Sequence, residues 1–387
     1  MRITRPLIAT TAQREASGLL RSSEKNSAIA SPCLGQNILY CSGKSLLGDR
    51  RMDREVQVWR EGRAGRIRLN RPKAFNALNL DMVKTIRAAL EDFGADPAVH
   101  VILVDTLERW FCSGGDVRML HAGAVAGDAS IAERFFGQEY AMNQAIADLR
   151  KPYIAIINGL CMGGGVGISA HGSHRIATEN ALLAMPETGI ALFPDVGASY
   201  VLPRMPGALG MYLGLTGARV HGADAVHAGF ATHYVPSGRL PELCDAIVRD
   251  GAAAVAEYAA PLPPFSLGAE RALIDHAFSQ DSVSAIVAAL EANGGAFAKA
   301  ALAQLRTHSP SSIHWSFEII RRGAAQDLRG CLAAEYHLVC QVAMSAEFIE
   351  GVRALLVDKD KSPKWQPPLI EDVDPARIAA LFAHTPD

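Results

Sequence analysis

The sequence predicts an α/β protein whose sheet is largely parallel. Two continuous apolar runs, HVILV at 100–104 and YIAII at 153–157, are typical of strands that are buried on both faces. Helical segments alternate with these runs, and after about residue 240 the periodicity is nearly all helical. We therefore expect an N-terminal extension over residues 1–51, an α/β core over residues 52–240, and a helical region over residues 241–387 that packs on the core.

The composition supports a large core and excludes several classes of function. Of the 387 residues, 49% are hydrophobic and 20% are charged, which is enough apolar material for a sizeable core. Lys plus Arg number 38 against 40 for Asp plus Glu, so the charge balance predicts no partner nucleic acid or anionic membrane. The seven scattered cysteines and twelve histidines show no ligand-like spacing, and we expect reduced thiols and no metal.

Residues 1–51 differ from the rest of the chain. They are rich in Ser, Arg and Lys, they contain only three acids, and they lack the long apolar stretch of a secretory signal. Two interpretations stay open: an organelle transit peptide, or an upstream extension of a chain that begins at Met52. We expect disorder in either case. The location would be the mitochondrial matrix in the first case, and the cytoplasm if the protein is bacterial.

The first elements of the core follow from their residues. The segment at 56–72, VQVWREGRAGRIRLNRP, predicts a hairpin of two strands around a glycine turn. Asn79 is a favourable N-cap, apolar residues then recur at helical spacing, and Gly94 stops that helix. Residues 139–149 predict another amphipathic helix, which a Lys-Pro pair ends.

The uncharged stretch at 152–170, PYIAIINGLCMGGGVGISA, has nearly the length of a membrane span. Its five glycines and a polar asparagine predict instead a buried strand, a loop and the start of a helix. The segment ERWFCSGGD at 108–116 predicts a loop that leads into a helix from Asp116. The clearest helical periods of the C-terminal region lie at 270–278, 282–291, 311–322 and 335–356.

Two glycine-rich loops are candidates for a ligand site because each follows a predicted strand. The first contains Gly114 and Gly115, and the second runs over residues 163–165. Glycine lets backbone approach a ligand closely, and two converging N–H groups are what a developing oxyanion requires. Ordinary turn glycines are the alternative interpretation.

Three acidic residues are further candidates. Glu187 and Asp195 lie eight residues apart in the otherwise apolar segment MPETGIALFPDVGASYVLPR, where an unpaired carboxylate is costly. They either cap helices or have pKa values shifted for chemistry. Glu139 lies at the border of a helical apolar stripe. The pattern alone favours its extension into solvent, with a position inside a site as the alternative.

Two other motifs compete with this interpretation. Gly165-x-Gly167-x-x-Ala170 formally matches a dinucleotide fingerprint and would indicate an oxidoreductase, but no obvious βαβ unit surrounds it. Ser169 with neighbouring histidines lacks the Gly-x-Ser-x-Gly turn of a serine hydrolase. We therefore favour neither.

The motifs in order, FCSGGD, INGLCMGGGVG and MPETGIALFPDVGASYVLPR, resemble the crotonase (enoyl-CoA hydratase/isomerase) superfamily, and in particular its thioester hydrolase branch. NRPKAFNALNL, GQEYAMNQAI and EGVRALLVDKDKSPKW at 350–365 extend the resemblance over about 56–368. It implies a spiral of ββα units capped by C-terminal helices, commonly in homo-oligomers. It also implies an acyl-CoA substrate, with no cofactor beyond the coenzyme A of that substrate.

The resemblance also assigns roles to individual residues. It implies that the backbone N–H groups of Gly115 and Gly164 form the oxyanion hole and that Glu187 and Asp195 are the catalytic acids. The residues expected to contact substrate are Glu139, Gly114 and Asp116.

One position favours hydrolysis of the thioester over hydration of a double bond. Hydratases of this superfamily carry a second catalytic Glu three residues after the oxyanion glycine, and this chain has Gly167 there. Hydration requires a paired acid and base, whereas attack at a thioester carbonyl requires an oxyanion hole and one carboxylate. We therefore predict hydrolysis of a short 3-hydroxyacyl-CoA, with Glu187 as nucleophile or as general base. An enoyl-CoA hydratase or isomerase, and a non-catalytic acyl-CoA-binding relative, are the alternatives.

Overall fold

The computed structural model describes residues 54–383, and the predicted extension over residues 1–51 lies outside them. The main sheet has six strands in the order β1-β2-β3-β5-β7-β10. All neighbouring strands in it are parallel except the first pair, which is the predicted hairpin. The predicted α/β class with a largely parallel sheet is therefore confirmed. The strands of this sheet are β1 (Val56–Glu61), β2 (Ala64–Leu69), β3 (Val101–Thr106), β5 (Tyr153–Ile157), β7 (His174–Ala177) and β10 (His233–Tyr234).

A second, smaller sheet was not predicted. Its four short strands pair in the order β4-β6-β8-β9, and the first three are mutually parallel. The segment 108–116, predicted as a loop, contains the first of these strands. The sequence pattern did not indicate it, because three residues are too few to show a period of two. These strands are β4 (Trp110–Cys112), β6 (Leu160–Met162), β8 (Leu182–Ala184) and β9 (Val220–His221).

The helices surround the two sheets. Asn79 caps the first helix, as predicted, since its side-chain Oδ1 accepts a hydrogen bond from the Met82 amide. The helix bounds are α1 (Leu80–Ala95), α2 (Val117–Ala126), α3 (Ala129–Ala147), α4 (Gly164–Ala170), α5 (Ala198–Val201), α6 (Leu209–Thr216), α7 (Asp224–Ala228), α8 (Leu240–Asp250), α9 (Val255–Tyr258), α10 (Arg271–Phe278), α11 (Val283–Asn293), α12 (Ala296–Leu305), α13 (Pro310–Gly323), α14 (Leu328–Val342), α15 (Ala346–Val352) and α16 (Pro375–Leu381).

Long and short strands alternate along the chain, and this alternation positions the site. β3 of the main sheet is followed by β4 of the small sheet, β5 by β6, and β7 by β8. Because β4, β6 and β8 are parallel neighbours, their carboxyl ends lie at one edge. The two glycine-rich loops and the segment that contains Glu187 directly follow these ends.

The main sheet separates two apolar cores. The larger core includes α1, α3 and the C-terminal helices. The smaller lies on the opposite face, where Leu243 and Ile247 of α8 and Val255 of α9 pack on the strands. The division of the globular part at residue 240 remains a prediction.

Two sequence-based helix predictions need correction. Residues 335–356 do not form one helix, because Ser345 caps a new helix through the Phe348 amide, and a π-helical turn follows at Arg353–Val357. The helix predicted from residue 139 begins ten residues earlier, after Asp128. Over 152–170 the predicted strand, loop and helix start are present, with β6 as an additional strand. None of the helices within residues 54–383 combines the length and apolar character that a membrane span requires.

Candidate active site

A cavity of about 830 Å³ opens where β4, β6 and β8 end. Six of the seven predicted site residues line it, and the seventh, Asp116, does not. The predicted residues in the lining are Gly114, Gly115, Glu139, Gly164, Glu187 and Asp195.

The first glycine loop is held by a backbone bridge to Leu78. The Leu78 amide donates to the Gly114 carbonyl, and the Asp116 amide donates to the Leu78 carbonyl, both at 2.8 Å. Gly114 has a φ of 110°, which an L side chain rarely adopts. The bridge leaves the Gly115 N–H without a hydrogen-bond acceptor among the described residues. This amide therefore stays available to a ligand.

The second glycine loop passes between two carboxylates. A Cβ atom on Gly163 would stand 2.6 Å from Glu187 Oε1, and one on Gly164 would stand 2.6 Å from Glu139 Oε1. A Cβ atom on Gly164 would also stand 3.3 Å from the Gly115 nitrogen, so the two loops lie close together. Gly164 begins α4, and its N–H has no acceptor within residues 54–383. Glycine is required here because the backbone approaches both acids and the first loop.

Three acidic side chains share this cavity and are nearly inaccessible to solvent. Glu139 is 2% exposed, Glu187 is 7% exposed and Asp195 is 6% exposed. One carboxylate oxygen of each glutamate lacks a hydrogen-bond partner within the described part of the chain. The expectation from the helical pattern that Glu139 extends into solvent was wrong. Because α3 begins ten residues earlier, its apolar face also includes Phe135 and Phe136, which flank the acid.

Burial raises the pKa of all three acids, and repulsion from neighbouring carboxylates raises it further for the two glutamates. For Glu139 the largest cause is burial, followed by the charges of Asp195 and Glu187. Burial also raises the pKa of Glu187, and Asp195 raises it further. The pKa of Asp195 rises to about 6 through burial, against a hydrogen bond from Tyr140 that lowers it. With a pKa near 6, Asp195 can exchange a proton near neutral pH.

Two residues that the sequence reasoning missed orient Asp195 and its loop. Tyr140 Oη donates to Asp195 Oδ2 at 2.7 Å. His171 Nε2 donates to the Val196 carbonyl at 2.7 Å, and burial lowers the pKa of His171 to about 4, so the ring is neutral. Tyr140 follows Phe136 by one helical turn, and that spacing is the signal that would have placed it on the buried face of α3.

The glycines of the formal dinucleotide fingerprint are packed against protein. A Cβ on Gly165 would stand 2.5 Å from the Cys112 carbonyl oxygen. A Cβ on Gly167 would stand 2.7 Å from the Val196 Cβ and 2.9 Å from Asn143 Nδ2. Both glycines therefore serve close packing of α4, and a side chain at position 167 would force its neighbours to shift.

Asp116 occupies a different position from the other predicted residues. Its carboxylate accepts a hydrogen bond from Arg71 at 2.9 Å, and it does not cap α2 through its side chain. Its contact with substrate therefore remains a prediction.

The C-terminal motif forms a cluster of charges that we call the Arg353 cluster. It consists of Arg353, which pairs with Glu350, Asp358 and Asp360, and of Glu350, whose Oε1 also accepts from the Lys364 amide. These contacts hold the segment 358–364 beside the cavity. Residues of the motif, among them Lys361 and Pro363, thus form part of the cavity lining.

Two cations line the cavity together with the acids. They are Arg219, which follows α6, and Lys361, which lies within the segment held by the Arg353 cluster. Both are exposed, and neither forms an ion pair with another described residue. The three acids are buried in the same cavity, so its charges are divided between a buried acidic part and an exposed basic part.

Comparison with known proteins gives consistent matches over most of the chain. A family model described as Enoyl-CoA hydratase/isomerase matches residues 64–382. The chain is 43% identical over 343 residues to a Xenopus tropicalis protein named 3-hydroxyisobutyryl-CoA hydrolase, mitochondrial, covering 85% of this chain and 89% of that protein. It is 40% identical over 330 residues to 3-hydroxyisobutyryl-CoA hydrolase 1 of Arabidopsis thaliana, covering 81% and 87% respectively.

A solved structure gives the same fold. The chain superposes with a TM-score of 0.81 on the crystal structure of a carnitinyl-CoA dehydratase from Mycobacterium thermoresistibile, at 41% identity over 85% of this chain and 96% of that one. The predicted crotonase-like arrangement, with ββα units and a helical C-terminal region, is confirmed. The chain belongs to the enoyl-CoA hydratase/isomerase family.

Proposed function

We propose that the protein hydrolyses short 3-hydroxyacyl-CoA thioesters, with 3-hydroxyisobutyryl-CoA as the main substrate, to give 3-hydroxyisobutyrate and free CoA. This reaction belongs to valine breakdown. The observation that carries the proposal is the pair of amides at Gly115 and Gly164, which have no acceptor within residues 54–383, beside the buried Glu187 carboxylate. The names of the curated relatives agree with it.

The geometry supports a mechanism in which the thioester oxygen accepts from the two amides. Each such donor contributes about 2.7–4 kcal/mol to the stability of the transition state. In one route Glu187 removes a proton from water, the water oxygen bonds to the carbonyl carbon, and the carbon–sulfur bond breaks. In the other, Glu187 itself attacks, CoA thiolate leaves, and water then hydrolyses the mixed anhydride. In both routes Asp195 orients the water, and a proton from that water reaches the thiolate.

Oxygen-18 tests the anhydride route. In a single turnover in labelled water, an anhydride that water opens at the Glu187 carbonyl carbon places label in the Glu187 carboxylate, and this result would contradict the general-base route. Label found only in the product acid would exclude an anhydride that is opened at the Glu187 carbon.

The space around Gly167 supports hydrolysis over hydration. A second acid at this position would collide with Val196 and Asn143, so the pair of carboxylates that hydration uses is not available there. The carnitinyl-CoA dehydratase named above is a reason to test the alternative directly.

A thiol-release assay tests the proposed function. We expect purified protein to release CoA from 3-hydroxyisobutyryl-CoA and more slowly from 3-hydroxypropionyl-CoA. Crotonyl-CoA should keep its enoyl absorbance. Rapid loss of that absorbance without free thiol would identify a hydratase, and no turnover of any of the three would support a non-catalytic relative. Activity should survive dialysis against a chelator, since we propose that no metal or further cofactor takes part.

The cations in the cavity fit the other half of the substrate. Coenzyme A carries several phosphates, and Arg219 and Lys361 are free to contact anions there. For the location, we propose the mitochondrial matrix if residues 1–51 are removed as a transit peptide, and the cytoplasm if the protein is bacterial. N-terminal sequencing of the mature protein distinguishes the two.

A further inference from the structure

The loop that carries Asp195 is fastened to a helix far along the chain. Glu335 on α14 accepts a hydrogen bond from the Gly197 amide at 2.7 Å through Oε2. Its Oε1 accepts from the Ser199 amide at 2.9 Å and from the Ser199 hydroxyl at 2.5 Å. Glu335 has no exposed surface, and no part of it lines the cavity. Both carboxylate oxygens of this buried acid therefore accept hydrogen bonds from a single short segment, residues 197–199.

This segment needs external support because its backbone is strained. Val196, directly after Asp195, has a φ of 55°, which is costly for a β-branched residue. Gly197 has a φ of 85°, and a Cβ there would stand 2.5 Å from the His171 ring. A loop in this conformation persists only if surrounding contacts determine it. The three hydrogen bonds to Glu335 supply such contacts, and the hydrogen bond from His171 to the Val196 carbonyl supplies another.

The helix that holds the loop also packs on the helix that holds the Asp195 side chain. α14 contacts α3, which carries Glu139 and Tyr140, and it contacts α5, which begins at Ala198. Tyr140 fixes the carboxylate of Asp195 while Glu335 fixes the backbone that follows it.

We propose that Glu335 is a positioning residue for the reaction, which holds Asp195 in its working orientation without touching the substrate. The proposal rests on the proposed hydrolase function. Glu335 acts through Asp195, so its loss should lower kcat and leave KM nearly unchanged. An acid that only stabilised the fold would change neither constant for the folded enzyme.

The test combines Glu335→Gln with Asp195→Asn in the full-length protein. Glutamine keeps the shape of glutamate but turns a donor toward one of the two amides. We expect Glu335→Gln to lower kcat at least tenfold with KM within about threefold. In the Asp195→Asn background, adding Glu335→Gln should lower kcat no further, because the two residues act as one unit. A multiplicative loss, an unchanged kcat or a rise in KM alone would overturn the proposal.

Asp105→Asn is the matched control. Asp105 is also a buried acid with several donors, from Arg66 and Arg68, but it lies on β3 and does not line the cavity. Its variant should lose stability and keep kcat. If Glu335→Gln does not fold, Ser199→Ala removes one of the three bonds and should give a smaller fall in kcat.

Hydrogen exchange separates this proposal from the proposed function. Without substrate, the amides of Gly197 and Ser199 should exchange faster in Glu335→Gln than in the wild type, with the exchange of β5 unchanged. Absence of thiol release from the wild type would contradict the hydrolase function alone. Unchanged exchange at both amides would contradict the proposal that Glu335 holds this loop, and that result does not depend on which substrate the enzyme uses.

Discussion

At the residue scale, the cavity places three acids where charge is costly. Glu139, Glu187 and Asp195 are buried together, and each has a pKa above its ordinary value. A buried acid whose folded-state pKa is raised binds more protons in the folded than in the unfolded state. The contribution to stability is therefore present at low pH and is lost as pH rises from the ordinary pKa, 4.5 for the glutamates and 3.8 for Asp195, through the raised one. The site gains reactive carboxylates at the expense of stability at neutral and alkaline pH.

Glu187→Gln should abolish turnover and stabilise the fold. We expect kcat for thiol release to fall about 10²–10⁴-fold, because the amide is neither base nor nucleophile. Binding of acyl-CoA should persist, since the shape of the side chain is kept. The melting temperature at pH 8 should rise, because a buried charge is removed. Glu242→Gln, at an exposed position on α8, is the control and should change neither value. A variant that keeps most of its kcat would contradict the role of Glu187.

Tyr140→Phe should shift the dependence of kcat/KM on pH. If Asp195 works as a carboxylate, kcat/KM rises with pH through a value near 6. The Tyr140 hydrogen bond favours the charged form, so its removal raises the pKa of Asp195. We expect the acid limb to shift upward by roughly 0.5–1 pH unit, the size of a hydrogen bond of about 1 kcal/mol.

Tyr153→Phe is the control for this profile. Tyr153 is also buried, but its hydroxyl donates to the Ile168 carbonyl and not to an acid. Tyr153→Phe should leave the acid limb of the kcat/KM profile at the same pH as in the wild type. A limb that falls with pH above 6 would mean that Asp195 acts as a proton donor, contrary to the role proposed for it.

At the element scale, short strands and glycines bring the site together. β4, β6 and β8 have three residues each, and their parallel pairing aligns the segments that follow them. The helix α4 then packs its glycines on Cys112 and Val196. The position of Asp195 thus depends on how closely α4 approaches the loop after it.

Gly167→Ala should show this dependence. The added Cβ would stand 2.7 Å from the Val196 Cβ, and Val196 directly follows Asp195. We expect a loss of about 1–3 kcal/mol in the free energy of unfolding, measured with urea, and a lower kcat. Gly238→Ala is the control, because no heavy atom of the described residues lies within 4 Å of its added Cβ. Equal stability of the two variants would contradict this prediction, because it would show that Val196 and Asn143 move aside at little cost.

Across the whole molecule, the main sheet separates the candidate active site from a second apolar core that contributes to stability. The larger core includes many residues around the cavity, and the smaller core lies beyond the sheet under α8 and α9. Mutations in the smaller core should therefore change stability without changing the site.

Ile247→Ala tests this separation. Ile247 is fully buried in the smaller core, and we expect a loss of about 2–5 kcal/mol in the free energy of unfolding. The kcat and KM of the folded fraction should equal those of the wild type. Leu262→Ala, at a position that is 41% exposed, should change stability by less than about 0.5 kcal/mol. A changed KM in Ile247→Ala would show that the two faces of the sheet are coupled.

Glu335 illustrates what sequence reasoning overlooked. It lies on a helix between Leu332 and Leu338, both buried, so a lone acid on an apolar stripe was the signal. Glu139 lies at the border of such a stripe as well, and there the pattern alone favours extension of the side chain into solvent. A stripe tells which face of a helix is buried, but not whether an acid on that face has donors or faces a cavity.

Periodicity and motif order are local properties of the chain, and from them the α/β class, four of the six strands of the main sheet, both glycine-rich loops and the candidate acids could be predicted. Packing in three dimensions buries Glu139, makes a side chain at position 167 displace its neighbours, and brings Glu335 to the loop after Asp195. These features depend on contacts between segments up to 138 residues apart. Burial and hydrogen bonding arise from packing, and no local pattern encodes which distant partner a side chain meets.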